Sequence, residues 1–226
     1  LAPELPGGSA LVRAAVTSGV HVAVGHTDAT YAQAAEAFAA GADIVTHAFN
    51  AMRSLHHREP GVIAAARDAG VVLEAINDGV HLHDATVRLL QAAAAGRVAF
   101  VTDAMAAACA DDGHYLLGTL DVDVVDGVAR LTDGGSIAGS TLTMDRAVRR
   151  AVLDVGLDVV EAVNAATLAP ARFLGMDGEI GALAPGRRAD VVIVADAWQI
   201  SGMLLAGRWA AERRPGSADS RAEEQV

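Results

Sequence analysis

Of the 226 residues, 52% are hydrophobic but only 4% are aromatic, so a core must be built from Ala, Val, Leu and Ile, which suits parallel strands covered by Ala-rich helices in one or two domains. The 17 basic and 28 acidic residues give a net charge of −11, which argues against a global preference for nucleic acid or an anionic membrane surface and leaves room for a small anionic substrate met by a few local Arg and His residues. The lone Cys109 excludes an internal disulfide framework and a Cys-rich zinc site, no apolar run is long enough for a membrane span, and the expected location is the cytoplasm.

The predicted elements follow a βα rhythm as far as Asp103. A helix is expected over residues 9–18, a strand from His21 to Gly25, a helix from Tyr31 to Ala40 and an apolar run from Ile44 to Thr46. A long polar loop then runs through Pro60, followed by a helix to Ala69, a strand from Val71 to Ile76, a loop from Asn77 to Asp84, a helix to Ala95 and a strand from Val98 to Thr102. Strands alternating with helices predict a parallel sheet or barrel. The rhythm then changes. Tyr115 to Leu131 alternates apolar and polar residues around Asp126-Gly127, the signature of a β-hairpin. Helices are expected over Leu142–Val155, Val159–Ala166 and Pro170–Leu174, and short strands over Ala189–Val194 and Met203–Ala206. The charged tail, 211–226, is expected to be disordered.

In the first half, the side chains able to do chemistry fall just past predicted strand ends: His26, His47, Asp78 with His81, and Asp103. In a parallel α/β barrel these ends share one mouth, where catalytic groups collect. Two imidazoles and a carboxylate there suit a catalytic metal site, with the carboxylate placed to take a proton from water. Spacing alone leaves a set of structural histidines equally open. Cys109, in an Ala-rich stretch, reads as a packing residue, not a nucleophile.

Ordered sequence words decide further. Gly25-His26-Thr27-Asp28-Ala29-Thr30-Tyr31, Thr46-His47-Ala48-Phe49-Asn50-Ala51-Met52, Arg58-Glu59-Pro60-Gly61, Asn77-Asp78-Gly79-Val80-His81, Val101-Thr102-Asp103-Ala104 and Ala138-Gly139-Ser140-Thr141-Leu142-Thr143-Met144 occur in this order. The series resembles the N-acetylglucosamine-6-phosphate deacetylases of the amidohydrolase superfamily, up to about Trp209. The resemblance implies an α/β fold: the C-terminal half of a TIM-like (β/α)8 barrel over residues 1–175, with a β-hairpin insertion near 115–131, and strands over 176–210 returning to a small β-sandwich. It implies that His26 and His47 are ligands of a divalent metal, Zn²⁺ with Fe²⁺ as the alternative, and that Asp103 is the general base and then the acid toward the leaving amine. It further implies that Asn50, Ala51 (through its backbone), Arg58 and His81 bind a phosphosugar, that Leu142, Thr143 and Met144 form a wall over the sugar, and that Arg58 serves a neighbouring subunit in a homodimer. His56 and His57, beside Arg58, read as part of a solvated polar loop.

The sequence also departs from that pattern. No His-Leu-Glu-Gly-Pro word is present, and with it the family's Glu ligand is missing. Glu4, in Leu1-Ala2-Pro3-Glu4, resembles a later family position. The chain opens without Met and in mid-pattern, so the expectation is a truncated chain, inactive alone. Two other readings stay open: a different amidohydrolase, of deaminase or dihydroorotase type, and a non-catalytic fragment.

Overall fold

The computed structural model describes residues 1–210; the expectation for 211–226 lies outside the described residues. The first half alternates helix and strand: α1 (Gly8–Thr17), β1 (Ala23–Val24), α2 (Tyr31–Ala39), β2 (Ile44–Val45), α3 (Gly61–Ala69), β3 (Val72–Ala75), α4 (Asp84–Ala93) and β4 (Val98–Phe100). The strands pair in parallel in chain order, with Ala23 opposite Ile44, Ile44 opposite Val72 and Leu73 opposite Val98. Parallel neighbours cannot be joined by a tight turn, so each crossover carries a helix. Residues 1–4 lie along the outer edge of β1, where the Leu1 carbonyl accepts from Gly25 N–H at 3.1 Å.

One face of the sheet is dry. Leu73, Ala75 and Val98 pack there with Val12, Ala34, Ala37, Val62, Ala66, Val87 and Leu90 from the covering helices. Most of these side chains are small, so helix and sheet backbones approach closely and the scarcity of aromatics is no handicap. The helix starts are specified locally. Thr30 and Gln33 form a reciprocal capping box on α2, and His83 caps α4 by accepting from Ala85 N–H, satisfying amides that have no partner inside the helix.

After β4 the architecture changes. β5 (Gly113–Leu117), β6 (Leu120–Val125) and β7 (Val128–Leu131) form an antiparallel meander. Sequence patterning predicts one hairpin here; a second tight turn at Gly118-Thr119 adds a third strand, beginning at Gly113. Val122, Val124 and Ala129 bury their side chains with Met105, Ala107 and Ala138, a small core separate from that of the parallel sheet.

Three helices follow: α5 (Met144–Leu153), α6 (Val159–Ala166) and α7 (Leu168–Phe173). The first starts two residues later than expected. Leu142 mimics the helical period, but its side chain is buried in a separate cluster with Ile76 and Ala147. The third starts earlier, because Pro170 is accommodated in the first turn, where its missing N–H costs nothing. The chain then forms an antiparallel sheet of β8 (Val191–Val194), β9 (Ile200–Leu205) and β10 (Arg208–Trp209), with β9 central. Its last strand is not evident in the sequence pattern, and β9 begins at Ile200 instead of Met203. Val192, Ile200, Leu205 and Trp209 of this sheet are exposed. Among the described residues, no helix is long and apolar enough to cross a membrane.

Candidate active site

His26, His47 and Asp103 each stand just beyond the C-terminal end of a strand, and each has a left-handed backbone, with φ of 46°, 31° and 51°. Left-handed conformations are uncommon for residues with a Cβ and cost free energy, so three of them on one edge of a sheet mark a site held together by its surroundings. The approach of β1 to β2 is also tight here. A Cβ added to Gly25 would come within 2.8 Å of Thr46 Cβ, so only glycine lets the chain deliver His26 beside His47.

The two imidazoles meet. His47 Nε2 lies 2.8 Å from His26 Nε2, with ring centroids 4.6 Å apart in an edge-to-face arrangement. His47 is buried, and its Nδ1 has no hydrogen-bond partner. Burial pushes the His47 pKa down; the nearby His26 and His81 add to that shift, and the Asp103 carboxylate opposes it. His26, His81 and Asp103, from the other three strand ends, thus lie within electrostatic reach of this one imidazole. A neutral imidazole is the form that lends a lone pair to a metal.

Behind this pair stands Glu74 of β3, whose Oε2 accepts from His47 N–H at 3.3 Å. Burial raises the Glu74 carboxyl, the Asp103 charge raises it further, and the His47 N–H works against both. On the other side, Glu4 accepts from Asp28 N–H at 2.7 Å and from the Thr27 hydroxyl, clamping the two residues after His26. The sequence alone points to neither glutamate as part of the site, because each acts there through a contact distant in the chain.

The loops around the pair are tied to it. Thr27 N–H donates to Ala51 O at 3.0 Å, and Arg53 N–H returns to Thr27 O at 3.2 Å. Asn50 donates from Nδ2 to the carbonyls of His47 and Ala48, both at 3.2 Å, so its NH2 group shapes this turn. His81 and Asp78 form a buried pair. His81 Nδ1 lies 2.7 Å from Asp78 Oδ2, while Asp78 Oδ1 accepts from the N–H groups of Val80 and His81, both at 2.8 Å. Burial would raise the Asp78 carboxyl, but these three partners together hold it below its usual value. With Nδ1 committed to Asp78, His81 Nε2 is left for another partner.

Helix α5 holds this loop from behind. Asn77 Nδ2 donates to Ala147 O at 2.9 Å, and Arg150 pairs with Asp84. The segment before α5 holds Asp103. Ser140 N–H donates to Asp103 O at 2.7 Å, Met105 N–H donates to Ser140 O at 2.9 Å, and the Ser140 hydroxyl donates to Thr102 O. Leu142 is buried by packing, so only its backbone can face a ligand. Thr143 is the N-cap residue of α5, and Met144 begins the helix.

Arg58 is not gathered into this cluster. It is exposed in the loop before α3, where its Nη1 lies 2.8 Å from His57 Nε2 and its N–H donates to His56 Nδ1 at 3.2 Å. The loop itself is anchored, because Glu59 Oε1 accepts from Tyr31 N–H at 2.6 Å at the start of α2. Cys109 corrects an expectation: it is exposed, so it is not a packing residue.

The donor set present fits part of a metal site. His26 and His47 turn their Nε2 atoms toward each other, and the Nδ1 of His47 is buried without a hydrogen-bond partner. Among the described residues, no group of three or more His, Cys, Asp or Glu side chains is arranged to hold an ion. Catalytic zinc sites normally have three protein ligands, and the pair could supply two.

A parallel α/β sheet with paired histidines and an aspartate at its strand ends is an arrangement that suits metal-assisted hydrolysis. Residues 9–210 match the amidohydrolase family, and the chain belongs to that family. It is 43% identical over 211 residues to N-acetylgalactosamine-6-phosphate deacetylase of Escherichia coli O157:H7, covering 93% of this chain and 56% of that one. It is 38% identical to N-acetylglucosamine-6-phosphate deacetylase of Vibrio furnissii, covering 92% and 52%. Among solved structures, a mutant N-acetyl-D-glucosamine-6-phosphate deacetylase of Mycobacterium smegmatis, in complex with N-acetyl-D-glucosamine-6-phosphate, superposes with a TM-score of 0.88 at 43% identity, covering 92% of this chain and 56% of that one. The chain thus spans about half the length of these relatives.

Proposed function

We propose that the protein to which this chain belongs hydrolyses the N-acetyl group of N-acetylglucosamine 6-phosphate, giving glucosamine 6-phosphate and acetate. The observation that carries this reading is the meeting of His26 and His47 at 2.8 Å within electrostatic reach of Asp103 and His81. The names of the similar proteins support the substrate class. We read the four parallel strands as half of a (β/α)8 barrel over residues 1–175, bearing an insertion near 115–131, and the antiparallel sheet within 176–210 as part of a small β-sandwich.

In this reading His26 and His47 hold a divalent metal, Zn²⁺ with Fe²⁺ as the alternative, together with a donor outside the described residues. The metal supplies a Lewis acid for the amide carbonyl and eases ionisation of a water. Asp103 takes a proton from the attacking water as its oxygen adds to the carbonyl carbon. It then passes that proton to the nitrogen as the C–N bond breaks, so acetate and a free amine leave. The Asp78–His81 pair presents His81 Nε2 to the sugar phosphate. Ala51 offers its backbone, and Leu142 to Met144 form a wall over the ring. Arg58, exposed and apart from the other groups, reaches the phosphate bound by a second copy, as a homodimer in the cytoplasm would allow; its planar fork matches phosphate oxygens.

The reading is tested by acetate release from the full natural protein with N-acetylglucosamine, phosphorylated and not. A strong preference for the phosphorylated sugar is expected; equal rates, or none, overturn the substrate assignment. The 43% identity to a galactosamine-named relative favours one second reading, the C4 epimer as substrate, so N-acetylgalactosamine 6-phosphate belongs in the same assay.

A further inference from the structure

We infer that Glu74 is a positioning residue, whose carboxylate holds the strained turn that aims His47 at His26. The inference rests on the deacetylase reading, in that it takes His47 to be a metal ligand.

Alternation along β3 puts Leu73 and Ala75 in the dry core, while Val72 and Glu74 lie half-buried on the opposite face. There Glu74 lines a cavity with Ile44, Val72, Ala99, Val101 and Phe173. A carboxylate among apolar side chains is costly to keep unless it makes a compensating contact, and Glu74 makes one. Its Oε2 accepts from His47 N–H at 3.3 Å, and its own backbone carbonyl accepts from Ala48 N–H at 2.8 Å. One residue therefore takes two successive amides at the turn where His47 has φ of 31°. The carboxylate takes the first of these amides and the backbone carbonyl the second, and both acceptors together restrain the turn. Without the side-chain acceptor, the His47 N–H loses its partner. The backbone is then free to relax toward the extended region and swing the imidazole away from His26.

A merely structural role and a positioning role predict different results for Glu74→Leu. In this apolar lining, leucine replaces a charge that is expensive to bury, so the fold should keep its stability. What should be lost is the geometry of the metal site. The experiment compares the full natural protein with Glu74→Leu and Glu74→Gln, measuring zinc affinity by chelator competition, the Tm of the metal-free protein, and kcat with KM. Glu74→Leu is expected to bind zinc about 10- to 100-fold more weakly, with an unlowered metal-free Tm and a kcat that falls more than KM rises. Glu74→Gln retains an acceptor oxygen for the His47 N–H and should bind zinc within about 3-fold of the parent. Parental zinc affinity in Glu74→Leu overturns the inference, as does a lost affinity that tracks a lowered metal-free Tm, or a Glu74→Gln protein as weak as Glu74→Leu. Should Glu74→Leu fail to fold, Glu74→Ala, which only removes atoms, carries the same expectations. A parent that binds no zinc and releases no acetate overturns the functional reading and this inference with it. A zinc-binding parent with an unchanged Glu74→Leu overturns this inference alone.

Discussion

Two regions of this molecule carry left-handed residues for different reasons. In the antiparallel meander, Asp126 and Gly127 have φ of 51° and 71°, which a two-residue type I′ hairpin requires of its central pair. At the ends of the parallel strands, His26, His47 and Asp103 adopt similar angles, yet no tight hairpin demands it there. In the meander the strain is explained by the chain two residues away. At the strand ends it is sustained by tertiary contacts, from Glu4 after His26, from Glu74 at His47 and from Ser140 at Asp103. Strain that local geometry does not require, on residues that can do chemistry, is the mark of a site.

Four substitutions in the full natural protein probe this contrast. Asp103→Asn keeps the shape of the side chain but cannot take a proton at neutral pH. Steady-state kinetics should show kcat lower by about 10²–10⁴-fold, with metal content unchanged. Arg58→Ala removes a charge-assisted contact to phosphate, so KM for the phosphorylated sugar should rise by about 10- to 100-fold with a smaller change in kcat. KM for the unphosphorylated sugar should stay put.

Asp78→Asn leaves three donors around a neutral amide in place of a carboxylate. The folded Asp78 pKa lies below its ordinary value, so its contribution to stability is present above the unfolded carboxylate pKa and is lost as pH falls through the folded one. Acid titration of stability should therefore show a shallower loss below about pH 4 in Asp78→Asn than in the parent; an identical acid limb would show that the Asp78 charge contributes nothing. Asp126→Ala places an alanine where φ is 51° in the meander, removing an Asp suited to that turn. Denaturant unfolding should register about 1 kcal/mol of lost stability, and kcat/KM should not move. A change in kcat/KM would erase the distinction drawn between the two regions.

Much of the parallel half was legible in the sequence. His26, His47 and Asp103 could be placed at strand ends because an apolar, β-branched run precedes each of them. The strain on them was not legible, because it depends on acceptors more than 20 residues away, as Glu4 to Asp28 and Glu74 to His47 show. The same holds for Arg150, an ordinary helical arginine in the sequence that ties α5 to Asp84 across 66 positions. Leu142 misled the helix boundary because burial in a tertiary cluster looks, in sequence, like one more residue of an amphipathic face. In the C-terminal sheet the short β10 carries only Arg208 and Trp209, too few residues to show a period.

Metal stoichiometry decides whether the strained histidine pair binds a metal, as proposed. The full natural protein, His26→Ala and His47→Ala should each be stripped, reloaded with zinc and assayed for bound metal, alongside the metal-free Tm. Stoichiometric zinc is expected in the parent and should be lost from both variants, because each removes a ligand, with both variants still folded. Stoichiometric zinc retained by a folded His47→Ala protein would show that the pair is not the metal-binding site.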